Sequence, residues 1–323
     1  AVAQAMLLAQ AQASEAPGGT LPVRQSADLA ARRYDGGPVP QQWAARWSYP
    51  PGAIVMSSPV VRGELAYSGS CTFGTEGGRG SVFAVEVETG ALRWEAVSVP
   101  DLRTGESTPI RALISSPALS EDGRWLVVGQ GLHTDRNCTL MCFNAVTGEL
   151  RWQAPTPLHI ESSPAVAGGL AVVGCGAIED ENNQPLGNPG EVMAVRLEDG
   201  QVLWRYSLPD PESSPTIKGD LVFIGSGQNG NAVVALRLAP DDELQRQGLA
   251  RLAWRTPIGY PMAAGMCLSE DLVITAGGPG TYDVSGPEPA GVVVALEQAT
   301  GKIRWRQDDL GDTVLGTPAL VAT

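Results

Sequence analysis

An eleven-residue phrase ending in tryptophan recurs along this chain, and few folds accommodate it. Ala84–Trp94 reads AVEVETGALRW and Cys142–Trp152 reads CFNAVTGELRW. Ala194–Trp204 reads AVRLEDGQVLW, and Ala295–Trp305 reads ALEQATGKIRW. A degraded copy opens at Ala235, takes a polar insert over Asp241–Gly248 and recovers at Leu252–Trp254. Glycine holds the seventh place of each full copy. The residues before it alternate as a half-buried strand does, the Thr-Gly or Asp-Gly pair supplies a turn with positive φ, and a second strand follows. A shared phrase opens each repeat: Ser57-Ser58-Pro59, Ser115-Ser116-Pro117, Ser162-Ser163-Pro164, Ser213-Ser214-Pro215 and a reduced Gly316-Thr317-Pro318.

Trp47, Trp94, Trp152, Trp204, Trp254 and Trp305 therefore recur at intervals of about fifty residues, the length of four short strands with their turns. The expected fold is all-β, a β-propeller of four-stranded antiparallel blades in which each tryptophan performs the same docking task. Five complete blades are visible, running to Trp94, Trp152, Trp204, Trp254 and Trp305, with parts of at least one more; a ring of about six to eight blades is expected. Residues 1–41 read as a leader or linker. Ala11-Gln12-Ala13 has the small-x-small form of a signal-peptidase site, although a helix or the tail of an upstream segment reads equally well. Residues 42–323 read as the propeller. Trp43–Tyr49 is expected to be the outer strand of a split blade. The strand after Leu315 would leave an unpaired edge, so the chain reads as cut short at its C-terminus or completed by another chain.

Charge and composition exclude some tasks. A net charge of −13 argues against nucleic acid and against an anionic membrane surface. No apolar run is long enough to span a bilayer. The five cysteines form neither a haem-attachment site nor a zinc pair. Cys138 and Cys142 can be bridged only where the chain bends between them; a continuous strand holds them apart as buried free thiols.

Taken together, the Ser-Ser-Pro phrase, the Gly-x-apolar-apolar strand and the Ala-x4-Thr-Gly-x3-Trp phrase resemble the quinoprotein-like repeat of the PQQ-type β-propeller family over about residues 42–323. That family includes quinone-dependent dehydrogenases and non-catalytic scaffolds of the bacterial envelope. The chain is closest in character to the latter. Its third motif position, often Asp in the family, is Glu86, Asn144, Arg196, Arg237 and Glu297 here, and the chain has no adjacent cysteine pair. The resemblance implies a periplasmic or otherwise extracytoplasmic, monomeric propeller that binds a protein partner or polymer and needs no cofactor. The rival it implies is a PQQ-dependent oxidoreductase with PQQ and calcium at a channel mouth.

In a blade with strands A to D, the A–B and C–D turns share one edge and the B–C and D–A loops the other. The first set reads as uniformly tight, while the second is long and varied, at 71–80, 97–112, 130–138, 176–190 and 277–290. The second set is therefore the expected binding rim. It carries Asp101, Glu106, Asp135, Glu179, Asp180, Glu181, Asp210, Glu212, Asp283, Glu288, Asp308, Asp309 and Asp312, which serve either to attract a basic partner or simply to solubilise the loops. Glu179, Asp180 and Glu181 offer hard oxygen ligands without calcium-loop spacing. Glu161 and Glu212 precede Ser-Ser-Pro in successive blades, with His159 close to the first. Strand A is expected to be innermost, so they read as solvated charges at the mouth of the central channel, or else as a pair that shares a proton, holds a metal or acts as acid and base. The repeated serines read as structural, since a nucleophile would occur once and need a base.

Overall fold

The computed structural model of the protein describes residues 44–73, 78–178, 180, 185–280, 290–308 and 310–321, with the backbone of Arg33–Tyr34. After β1 (Arg33–Tyr34) come five four-stranded antiparallel sheets. Blade one is β2 (Val60–Arg62), β3 (Leu65–Thr72), β4 (Arg79–Glu86) and β5 (Leu92–Ala96). A two-stranded hairpin, β6 (Ser98–Pro100) with β7 (Ser107–Pro109), interrupts the passage to blade two. Blade two is β8 (Ala118–Leu119), β9 (Trp125–Gly129), β10 (Cys138–Asn144) and β11 (Leu150–Thr156). Blade three is β12 (Ala165–Ala167), β13 (Leu170–Cys175), β14 (Glu191–Arg196) and β15 (Val202–Ser207). Blade four is β16 (Thr216–Lys218), β17 (Leu221–Ser226), β18 (Ala232–Arg237) and β19 (Leu252–Pro257), with α1 (Asp241–Gln247) between the last two. Blade five is β20 (Cys267–Leu268), β21 (Leu272–Gly277), β22 (Val292–Glu297) and β23 (Ile303–Gln307), and β24 (Leu320–Val321) pairs in parallel with β1. The chain divides into two compact units, one of residues 1–26 and 36–164, the other of 27–35 and 165–323.

Within the first unit the tryptophans do dock. The indole N–H of Trp47 donates to Val87 O at 2.7 Å, and that of Trp94 donates to Ala145 O at 2.9 Å. In the second unit Trp204 reaches Leu238 O at 3.3 Å and Trp254 reaches Gln298 O at 2.8 Å. Each indole thus satisfies a carbonyl of the following blade's C–D connection, and the rings of Trp94, Trp204 and Trp254 enter the packing between two sheets. Trp94 lies against Tyr67 and Phe143, with ring centroids at 6.2 and 6.3 Å. Trp254 lies against Phe223 at 5.8 Å. The turn glycines are required twice over. Gly148 has φ +75°, and a Cβ there would sit 2.6 Å from the Trp94 ring. Trp305 in blade five is 43% exposed.

Strands B and C are buried on both faces, as in β10 and β14, so they read as apolar runs. The outer strands alternate between a covered and an open face, as in β15 and β19. All five C–D pairs slip register at the same place, after Ala84, Cys142, Ala194, Ala235 and Ala295, each opposite its tryptophan. A bulge recurring one residue before each indole bends and twists the outer strand locally.

The serines are structural. Ser57 Oγ accepts from Gly69 N at 2.8 Å, Ser115 Oγ from Gly129 N at 3.2 Å and Ser213 Oγ from Gly225 N at 2.7 Å, which ties strand A to strand B within a blade. The second serine links blades: Ser58 N donates to Ser116 Oγ at 2.8 Å, and Ser116 N to Ser163 Oγ at 2.9 Å.

Three local expectations change. Residues 44–53 contain no strand, so the stretch around Trp47 is not an outer strand; its indole docks from irregular backbone. The C–D turns are not all tight, because the insert in blade four folds as α1, with Asp241, Asp242 and Glu243 in its first turn and Gly248 as a left-handed cap. Arg251 holds that helix to the blade by pairing with Asp241 and lying 4.3 Å over the Trp204 ring. The long loop at 97–112 contains the β6–β7 hairpin.

Candidate functional site

Two loops of blade two converge at its B–C and D–A end. The B–C loop makes a tight turn in which Asp135 N donates to Leu132 O at 2.7 Å and Leu132 N donates to Asp135 Oδ2 at 2.9 Å. Arg111 fixes the same carboxylate at 2.9 Å. The D–A segment, which carries His159 and Glu161, is zipped to this loop by backbone bonds. Asn137 N donates to Pro157 O at 3.0 Å, and Ile160 N donates to Gln130 O at 3.1 Å. Gln130 is itself set by Thr139 Oγ1 at 2.8 Å, and its amide oxygen accepts from Arg111 N at 2.9 Å. Gly129 gives room for Ile160: a Cβ there would meet the isoleucine side chain at 2.2 Å.

On this frame stand His133, His159 and Glu161. His159 is fully buried, and the Glu161 side chain is only 5% exposed, so the reading of Glu161 as a solvated charge is corrected. The side chain of His133 is 54% exposed. It meets His159 edge-on, with ring centroids 5.3 Å apart, and its Nδ1 lies 3.7 Å from Glu161 Oε1. A carboxylate held this far from water carries a large desolvation cost unless a proton, an imidazolium or a cation offsets its charge. His159 and Glu161 stand out in the sequence by their place before Ser-Ser-Pro, whereas His133 lies in a different loop and only the fold brings it in. Glu212 belongs to the second unit, where its N–H donates to Asp210 O at 3.0 Å.

Two imidazoles and one carboxylate are not a calcium donor set, which takes roughly six to eight oxygens. Calcium with PQQ therefore does not fit this cluster. Glu179 and Glu181 lie outside the described residues, as do Asp283, Glu288 and Asp309; Asp180 is half-buried. Several rim carboxylates brace loop backbone, in their own loop or the neighbouring one. Asp101 Oδ1 accepts from Arg103 N and Thr104 N, and Asp210 Oδ2 accepts from Gln228 N at 3.0 Å while its backbone adopts φ +45°. Arg306 beside Asp308 holds that carboxyl below the usual range.

A second feature at the same kind of edge went unread in the sequence. Blade one has an open cleft of about 400 Å³ between its strand ends and the β6–β7 hairpin, lined by Thr72, Arg79, Glu95, Val97, Ser98 and Pro109 among others. Exposed large apolar side chains gather in the segments at that end of the blade: Ile54, Met56, Phe73, Val97 and Leu102, each at least 41% exposed. Phe73, Val97 and Leu102 sit in loops that nothing in a hydrophobic-periodicity reading marks as special.

All five cysteines are buried and outside any disulfide, and Cys138 and Cys142 lie on the single continuous strand β10. Among the described residues, no helix is long and apolar enough to cross a membrane.

Comparison with known proteins adds identity to geometry. The family model described as outer membrane protein assembly factor BamB matches residues 41–307. An outer membrane protein assembly factor BamB of Yersinia pestis is 27% identical over 281 residues, covering 81% of this chain and 57% of its own length. The chain thus spans a little over half of that relative. A second, from Burkholderia pseudomallei, is 24% identical over 311 residues, covering 88% of this chain and 73% of its own. Among solved structures, BamB from Moraxella catarrhalis aligns with a TM-score of 0.53 at 17% identity, over 83% of this chain and 68% of its own. A europium-containing methanol dehydrogenase aligns with a TM-score of 0.56 at 12% identity, over 87% and 68%. At such identities the structural likeness speaks for the propeller fold alone.

Proposed function

Because this chain belongs to the PQQ-type repeat family described as outer membrane protein assembly factor BamB, we propose that it is a non-catalytic scaffold propeller of the bacterial envelope. It docks a protein partner of the outer-membrane assembly apparatus through the B–C and D–A loops of blade one. The observation that carries this reading is an open cleft with Val97 exposed in its lining, and Phe73 and Leu102 exposed in the B–C and D–A loops of the same blade. Apolar side chains concentrated on loops of a rigid scaffold mark an interaction face more often than a solvated one. The relatives are named as assembly factors, which supplies the class of partner. The acidic residues of the same edge set its sign and favour a basic surface on the partner. In this reading the protein resides on the extracytoplasmic side and acts without PQQ.

The test is co-purification of the assembly apparatus from producing cells with wild-type protein and with the triple variant Phe73→Asp, Val97→Asp, Leu102→Asp. Val146→Asp, an exposed substitution at a C–D turn, serves as the control. Loss of the apparatus with the triple variant and retention with the control support the reading; equal retention by both refutes it. Addition of PQQ with calcium addresses the redox alternative, and a quinone absorbance change that saturates at one equivalent would favour it over the scaffold.

A further inference from the structure

We propose that His133, His159 and Glu161 form a site for one divalent transition-metal ion of the zinc type. The donor atoms of these three side chains lie within 4.8 Å of one another. Around a tetrahedral zinc, with ligand distances of about 2.0–2.2 Å, neighbouring donors stand roughly 3.4 Å apart. Closing the difference takes an adjustment of about an ångström, and the His133 side chain, 54% exposed, is the one of the three that stands furthest into solvent.

Three further features favour a built site over a chance meeting of side chains. His159 and Glu161 are two residues apart in one buried segment, and the donor atoms of both lie within 4.8 Å of the His133 donor atom. Their segment is pinned to the His133 loop by the Asn137–Pro157 and Ile160–Gln130 bonds, and the Leu132–Asp135 turn that carries His133 is held by the Arg111–Asp135 pair, so the donors stand on fixed backbone. A dication would also offset the charge of a carboxylate that is 5% exposed. The chemistry selects the metal class: imidazole suits zinc, copper, nickel and iron, whereas calcium and magnesium demand oxygen.

His133 and His159 are the only histidines in the chain, so a tag-free preparation offers the metal no competing imidazole. The experiment is titration of chelator-stripped full-length protein with Zn(II) by calorimetry, with Co(II) absorbance as a spectroscopic probe of tetrahedral nitrogen and oxygen ligation. The variants are His133→Ala, which removes a half-exposed ring, and Glu161→Gln, which keeps shape and volume. Their unfolding midpoints without metal, set beside wild type, show that both remain folded. The expected result is one equivalent of Zn(II) bound by wild type, at least a tenfold loss of affinity in each variant, and no competition by Ca(II). Absence of stoichiometric binding to wild type, binding unchanged in both folded variants, or equal affinity for Ca(II) would each overturn the assignment.

Discussion

Replacing Gly148 by alanine tests whether indole docking is what joins neighbouring blades. Two costs arise at this position. A non-glycine residue in left-handed backbone costs about 1–2 kcal/mol, and Gly148 sits at φ +75°. A Cβ would also stand 2.6 Å from the Trp94 ring, against an ordinary contact of 3.4–4 Å. The ring must retreat, which stretches its 2.9 Å bond to Ala145 O and disturbs its seat between Tyr67 and Phe143. Overpacking of that kind costs about 1–3 kcal/mol, and the weakened hydrogen bond adds up to about 1 kcal/mol. Gly63 isolates the backbone share: it has φ +57° in a turn of blade one, and nothing lies within 4 Å of a Cβ built there. In urea unfolding followed by circular dichroism, Gly63→Ala should lose about 1–2 kcal/mol and Gly148→Ala about 3–5 kcal/mol. Combining Gly148→Ala with Trp94→Leu should show a coupling of about 1–3 kcal/mol, since the clash disappears with the ring. Equal losses for the two glycine variants, or strict additivity with Trp94→Leu, would refute the argument.

Ser163→Ala removes the acceptor of the buried Ser116 N–H and should cost about 1–3 kcal/mol by chemical denaturation. Ser58→Ala, whose hydroxyl sits at a half-buried position in blade one, should cost less than half as much. Burial pushes the thiols of Cys138 and Cys142 from the ordinary 9.0 up to about 12. The unfolded chain therefore gives up these protons first, and their contribution to stability is intact below pH 9 and lost as pH rises from 9 towards 12. Unfolding free energies measured across that window should fall in wild type and fall less in a Cys138→Ala, Cys142→Ala double variant. Native protein at pH 8 should resist alkylation at both positions until denaturant is added.

The blade was legible because its physics is local. Alternation, a turn glycine and an indole at fixed spacing lie within eleven residues, and the same phrase returns often enough to exclude chance. The departures at the third motif position are legible only afterwards. Glu86 accepts from Thr89 Oγ1, Asn144 accepts from the amides of Val146 and Thr147, and Arg196 pairs with Asp199, so each closes its own C–D turn by a different route. The recurring bulge escaped because register is a property of two strands and no residue type announces it. The strand-B glycines escaped for a similar reason: Gly129 and Gly225 make room for a residue of the D–A segment that leads to the next blade, some thirty or more residues on. Glu161 and His159 stood out by position, yet their burial depends on the zipped loops of blade two, and His133 joins them only through folding. The apolar loop residues around the blade-one cleft could not be read from periodicity, because exposure in a loop follows from tertiary placement.

Hydrogen exchange at the indole N–H groups tests the docking of tryptophan onto the next blade most directly. With ¹⁵N-labelled tryptophan in the native protein, the indole protons of Trp47, Trp94, Trp204 and Trp254 should exchange slowly, each being held by a main-chain carbonyl. The half-exposed Trp305 should exchange near the rate of a free indole. Uniformly fast exchange at all five would contradict the blade-to-blade docking on which the fold rests.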